Sequence, residues 1–305
     1  FCAGVSSAIE IVELGLQKYG TPLYVRHEIV HNTSIIKDFE KRGVIFIEEL
    51  ADVPDDKVVI FSAHGTAPDV FEAAKDRGLK VIDATCPLVT KVHRQATRFS
   101  KREVHTLLIG HRGHQELVGT SGYVKDHLRH IIEDEADIEA LDLPADIEVG
   151  VLTQTTLSVR DTTHLIEKLQ TKFPNLVTGG KEDICYATQN RQDSVLELAE
   201  ICDLVIIVGS VASSNSNRLR ETAQEAGIDS FIIDTPDEFS FDWLEGKKCL
   251  GISSGASVPW YLVEQLVDLI YEKYPQVNIQ KKESTEKGIH FPLPKELSDY
   301  KLASQ

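Results

Sequence analysis

The chain has 305 residues, enough for two or three domains around a sizeable core. Hydrophobic residues make up 42% and charged residues 26%, an ordinary globular balance, and no apolar run approaches the ~18 residues that would cross a bilayer. A formal charge of −16 argues against nucleic acid or an anionic membrane as a main partner. The five cysteines are odd in number and scattered, so no disulfide scaffold is expected and a reducing cytoplasm is the natural home. FCAGVSSAIE has no signal-peptide shape. The sequence contains no methionine, and residues preceding Phe1 are expected.

Taken in order, the chain opens with Cys2 ahead of a helical pattern in which Val5, Ile9, Val12 and Leu16 share a face. A strand is predicted over 23–30, running into His31, then a helix over 34–42 and a strand over 44–48. The strand over 58–62 runs into His64, and helix 69–77 and strand 80–83 follow. Cys86 then sits directly before Pro87 and an amphipathic helix bearing Val89, Val92, Ala96 and Phe99. Strand 106–110 leads into HRGHQE, with His111, His114 and Glu116, and on to a glycine-containing stretch. Strand 130–133 and strand 147–152 come next, the latter ending in Thr153-Gln154-Thr155-Thr156 before helix 159–173. Cys185 precedes a helix over 189–201. Strand 204–209 ends in Ser213-Ser214-Asn215-Ser216-Asn217, with a helix starting near Arg218. After strands 231–234 and 249–253 come Ser257 and helix 260–274, and a polar tail begins at Pro275.

These are three copies of one plan. Cys2 to His31, Cys86 to His114 and Cys185 to Ser214 span 29, 28 and 29 residues. First to second polar tip, from His31 to His64, His114 to Thr155 and Ser214 to Ser257, spans 33, 41 and 43, as loops of varying length would give. Alternating strands and helices imply an α/β fold with small parallel sheets. Ligands in such sheets collect outside the carboxyl ends of strands, where all six tips lie. Three units related by a pseudo-threefold axis are expected, 1–85 with Cys2, 86–182 with Cys86 and 183–274 with Cys185, with 275–305 packing back on an earlier one.

A thiol at a helix N-terminus is biased toward thiolate, which suits a metal ligand or nucleophile. Three convergent thiolates fit an iron–sulfur cluster with one iron lacking a cysteine. A zinc site with a further ligand, or no metal at all, stays open. Cys202 and Cys249 read as core residues. Tips preceding helices offer backbone N–H groups to an anion such as phosphate, and His31, His64, His114, Ser213, Ser214, Asn215 and Ser257 supply side chains there. Glu116 is the candidate proton carrier, with Thr155 as a hydroxyl relay.

The strings CAGV, VRHEIVHN, FSAHG, DATCPLVTKVH, GHRGHQE, LTQTT, DICYATQNRQ, GSVASSNSNRL and GASVP cover nearly the whole chain in order. Through them the sequence resembles the LytB/IspH family of hydroxymethylbutenyl diphosphate reductases. The resemblance implies a cloverleaf of three α/β units around a [4Fe-4S] cluster held by Cys2, Cys86 and Cys185. It also implies an allylic diphosphate substrate bound by His31, His64, His114, Thr155, Ser213, Ser214, Asn215 and Ser257. Glu116 would deliver protons with help from Thr155 and His114, and the electron donor would be a flavodoxin or ferredoxin. The implied reaction is the last step of the non-mevalonate isoprenoid route. Two departures stand out. The family has a short strand before the first cysteine, so Cys2 is expected to be poorly anchored here. It also usually carries Met where Ser121 stands, so the wall near Glu116 is expected to differ. A cluster-dependent dehydratase of the quinolinate synthase type shares the three-unit plan without these strings, and an iron–sulfur redox sensor would not need so many polar tips.

Overall fold

A computed structural model describes residues 1–178, 183–282 and 288–300. The chain is α/β, with three small, wholly parallel sheets among the described residues. The first runs β2 (Val44–Ile47), β1 (Leu23–Arg26), β3 (Val58–Phe61), β4 (Lys80–Asp83). The second repeats the order as β6 (Arg129–Ile132), β5 (His105–Ile109), β7 (Val149–Thr153), β8 (Leu176–Thr178). The third is β10 (Asp229–Ile233), β9 (Leu204–Val208), β11 (Leu250–Ser254). In each, the first strand in sequence lies between the second and the third. The strand order therefore reverses between β1 and β3, β5 and β7, and β9 and β11. The carboxyl side of such a reversal is where helices diverge and leave a crevice for a ligand.

Val, Ile and Leu dominate the central strands because both faces are covered. The second sheet buries Leu107, Ile109, Val149 and Val151 on one face, against Leu165, Leu169 and Phe173 of the α7 region (Val159–Lys172). Its other face packs Leu108 and Leu152 against Val92, Ala96 and Phe99 of α4 (Pro87–Lys101). Pro87 opens α4, where its missing N–H does no harm. Arg98 and Lys101 sit in its last turn, beside the negative end of the dipole. In the third sheet, Leu204, Ile206 and Val208 meet Leu262, Val263, Leu266 and Ile270 of α10 (Trp260–Lys273). Val205 and Ile207 meet Val195 of α8 (Tyr186–Ile201) and Leu219 and Ala223 of α9 (Ser214–Glu225).

The chain divides into two compact units. One comprises Phe1–Ala3, His31–Ile35 and Tyr186–His290 and carries the third sheet. The other comprises Gly4–Val30, Ile36–Cys185 and Phe291–Gln305 and carries the first and second. In the C-terminal stretch from Pro275, residues 283–287 and 301–305 lie outside the described residues, as do 179–182 at the end of the expected second unit. Leu297 is fully buried, and the Glu296 carbonyl accepts from Lys18 Nζ at 2.6 Å.

Several expectations need correction. β1 stops at Arg26; Ile29 and Val30 stay buried in a bend without pairing in the sheet. The stretch after His114 is a helix, α5 (Gln115–Ser121), and α9 begins at Ser214, four residues before Arg218. β8 is a short edge strand that periodicity does not reveal. Cys202 is buried as expected, but Cys249 is only half-buried.

Candidate active site

Glu116 is the second residue of α5 and is only 3% exposed. His114 caps that helix, its Nδ1 accepting from the Glu116 N–H at 3.2 Å. Thr155, just beyond β7 on the other side of the strand-order reversal, holds both carboxyl oxygens. Its N–H donates to Oε1 at 2.6 Å and its hydroxyl to Oε2 at 2.9 Å. The two tips are tied further by the Gln154 N–H, which donates to the Ile109 carbonyl at 2.8 Å. Burial pushes the Glu116 carboxyl up to about 7. The charge of buried Asp183 pushes the same way, while the two bonds from Thr155 oppose. A carboxyl group with that value can give or take a proton near neutrality.

His64, on the tip after β3, lies edge-to-face with His114, their ring centroids 6.2 Å apart. Close packing on α5 makes this approach possible. A Cβ on Gly119 would stand 2.8 Å from the Gly65 carbonyl oxygen, and one on Gly122 2.4 Å from the Ala67 Cβ. Gly65 itself has φ +92° with the His93 ring against it, a place only glycine fills comfortably. His93 stacks on Tyr123, whose hydroxyl donates to the Thr66 carbonyl at 3.1 Å. Burial lowers the His93 imidazole to about 4, so it is a neutral packing element near pH 7. Ser121, the departure noted from the sequence, ends α5 with a buried hydroxyl that has no hydrogen-bond partner.

The third sheet presents a different surface. Ser213 caps α9, its hydroxyl accepting from the Ser216 N–H at 3.3 Å. Ser214 and Asn215 therefore lie in the first helical turn rather than on a loop tip, where backbone N–H groups have no intrahelical acceptor. Asn215 is 4% exposed, yet neither end of its amide has a hydrogen-bond partner. Ser216 is fully buried with an unpartnered hydroxyl. Gly209 and Gly255, at the ends of β9 and β11, close around it: a Cβ on either would meet Ser216 Oγ at 2.4 or 2.2 Å. The Ser257 hydroxyl donates to the His31 carbonyl at 2.9 Å, and Asn32, beside His31, accepts from the Ile35 N–H at 3.0 Å and caps the next helix.

The three helix-opening cysteines share one backbone arrangement. The Cys86 N–H donates to Ala63 O at 3.0 Å, that of Cys185 to Thr155 O at 3.1 Å and that of Cys2 to Ala256 O at 3.1 Å. Each acceptor belongs to the tip at or beside His64, Thr155 or Ser257. Cys2 is thus tied to the third sheet, contrary to the expectation of weak anchoring. Each of these cysteines is partly exposed, and no disulfide joins any of the five among the described residues. Among those residues no group of three or more His, Cys, Asp and Glu side chains is placed to hold a single metal ion. No helix there is long and apolar enough to cross a membrane. Cys86, Cys185, His64, His114, Glu116 and Thr155 belong to one compact unit, and Cys2, His31, Ser213, Ser214, Asn215 and Ser257 to the other. Asp183 and Ser216 are not among the candidate site residues read from the sequence, though Asp183 stands two residues before Cys185 and Ser216 sits inside the Ser/Asn run.

The family model for LytB protein matches residues 1–271. The chain belongs to the LytB family. Among LytB relatives, a 4-hydroxy-3-methylbut-2-enyl diphosphate reductase of Acinetobacter baylyi is 48% identical over 300 residues, 97% of this chain and 95% of the relative. That of Alcanivorax borkumensis is 47% identical over 97% of this chain and 96% of its own length. The structure of the E-1-hydroxy-2-methyl-but-2-enyl-4-diphosphate reductase from Plasmodium falciparum superposes with a TM-score of 0.93 at 37% identity, covering 98% of this chain and 94% of that one. A second reductase structure, described as the terminal enzyme of the non-mevalonate pathway, gives 0.64 at 32% identity over 89% and 96%.

Proposed function

We propose that this chain reduces 4-hydroxy-3-methylbut-2-enyl diphosphate to isopentenyl and dimethylallyl diphosphates, the final step of the non-mevalonate route. Two electrons and two protons enter, the carbon–oxygen bond to the hydroxyl breaks, and the oxygen leaves as water. The observation that carries the reading is Glu116: a buried carboxyl gripped at both oxygens by Thr155, with a pKa near 7, at the carboxyl end of a parallel sheet.

Cys2, Cys86 and Cys185 are the proposed ligands of a [4Fe-4S] cluster. The fit rests on the donor set: three reduced thiols, each directly before a helix and each pinned by its own N–H to a strand tip. Such a cluster, with one iron lacking a cysteine, would relay the donor's electrons and supply a Lewis-acidic metal. The diphosphate is proposed to lie against the start of α9, with Asn215, Ser213, Ser214, Ser257, His31, His64 and His114 as its polar contacts. The helix N-terminus favours its charge, and the unpartnered Asn215 amide is a group that a ligand oxygen would satisfy. Binding energy spent there orients the hydroxyl end of the substrate. Glu116 holds the proton for the departing oxygen on its Oε2 side, and the Thr155 hydroxyl keeps that oxygen in place. A flavodoxin or ferredoxin is the proposed electron donor, in the cytoplasm. The three-unit division at 1–85, 86–182 and 183–274, with 275–305 as a tail, is retained as the domain reading, supported by the repeated strand order.

Anaerobic iron and sulfide analysis coupled to turnover with a dithionite-reduced dye tests this. Four irons per chain and conversion of the allylic diphosphate to both products are expected. Iron-free protein that still turns over would overturn the cluster assignment, and a loaded protein inert to this substrate would overturn the reaction.

A further inference from the structure

At the amino end of the third sheet, opposite its polar tips, two thiols touch. Cys202 follows α8 and is buried; Cys249 directly precedes β11 and is half-buried. The Cys249 thiol donates to Cys202 Sγ at 3.2 Å. The backbone around them is fixed. The Cys202 N–H donates to Leu198 O at 2.8 Å, and the Asp203 N–H to Cys249 O at 2.9 Å. Asp203 Oδ2 accepts from the N–H groups of Lys248 and Cys249 at 2.8 and 3.0 Å. Leu204 and Leu250, the next residues along, pair across the parallel ladder. Neither thiol belongs to the candidate site.

We propose that Cys202 and Cys249 form a second, separate thiol site that a hydroperoxide closes reversibly to an intramolecular disulfide. A disulfide needs sulfurs about 2.05 Å apart, about 1 Å closer than they stand. The division of labour follows from exposure. Burial and the neighbouring thiol push Cys202 up to about 12, so it keeps its proton, and Cys249 meets the oxidant. With hydrogen peroxide, the Cys249 sulfur attacks one oxygen and takes it as a sulfenic acid, and the other oxygen leaves as water with the thiol proton. The Cys202 sulfur then attacks Cys249 Sγ, the S–O bond breaks, and the Cys202 proton leaves with the hydroxide as a second water. Two thiols lose two electrons, and one peroxide is reduced to two waters. The bond joins the end of α8 to the start of β11.

Trypsin separates the five cysteines, placing Cys202 in peptide 192–218 and Cys249 in peptide 249–273. The full chain is treated anaerobically with one equivalent of hydrogen peroxide, quenched, alkylated with N-ethylmaleimide and digested without reductant. The expected result is loss of alkylation on both peptides, a single species in which they are joined, and recovery of both thiols with dithiothreitol. In Cys202→Ser, Cys249 should stop at the sulfenic acid, trapped by dimedone. In Cys249→Ser, Cys202 should remain fully alkylated. Recovery of both peptides alkylated as in untreated protein overturns the proposal, and so does a cross-link from either one to the peptides of Cys2, Cys86 or Cys185.

Discussion

Glu116 and Asn215 occupy the same place in two copies of the repeat: each is the second residue of the helix that follows the first strand of its sheet, behind a capping His114 or Ser213. Their surroundings are opposite. Both carboxyl oxygens of Glu116 are bonded within the protein, to the N–H and hydroxyl of Thr155. The Asn215 amide is as deeply buried and bonded to nothing. A buried polar group left unpaired costs about 1–3 kcal/mol. The second copy therefore holds its buried polar group fully bonded, while the third carries a deficit, which the proposed diphosphate would relieve. The same helix start carries a fully bonded carboxyl in one copy and an unsatisfied amide in another.

The contrast is broken most severely at Glu116. Glu116→Gln keeps the shape and removes the transferable proton. It should lower kcat by roughly 10²–10⁴, with KM little changed, in an anaerobic steady-state assay. In the native enzyme kcat should fall as pH rises through about 7, because the carboxyl must carry its proton to donate it.

The same group marks stability. Its folded pKa is about 7 against 4.5 for a free carboxyl, so between those values the native state binds more protons than the unfolded one. Stability should then fall as pH rises from about 4.5 to 7, by about 3 kcal/mol from this group, and level off above. Denaturant titrations across that window should show the slope in the wild type and lose it in Glu116→Gln. Asn215→Leu sharpens the other side. Removing an unsatisfied amide should stabilise the ligand-free protein by about 1–2 kcal/mol while raising KM about 10–100-fold. A variant that lost stability and bound normally would mean that the amide serves the fold. Gly255→Ala drives a methyl into Ser216 and should cost about 1–3 kcal/mol in thermal unfolding. Ser257→Ala removes one bond to the His31 carbonyl and should raise KM by less than about tenfold.

Much of this was legible beforehand because strands buried on both faces announce themselves as runs such as LVIIV, and because cysteine-to-tip spacing repeats within one residue. β4 at Lys80–Asp83 was read without error. What stayed hidden depends on contacts distant in sequence. α5 is seven residues long and contains Gly119, a weak helix former. It holds because Gly119 and Gly122 press against the tip after β3. The first turn of α9 is all Ser and Asn, residues that favour loops until a cap fixes them. The reach of Thr155 to both oxygens of Glu116 crosses 39 residues and no local pattern encodes it.

The backbone ties from Cys2, Cys86 and Cys185 to Ala256, Ala63 and Thr155, respectively, bear on how the proposed cluster would be installed. Those amides are secured by ordinary peptide hydrogen bonds that need no iron. Each of these cysteines is posted at its strand end as soon as its sheet has formed. On the proposed assignment, iron and sulfide would meet backbone already set at each of these strand ends, and their loss should leave those ends as they were.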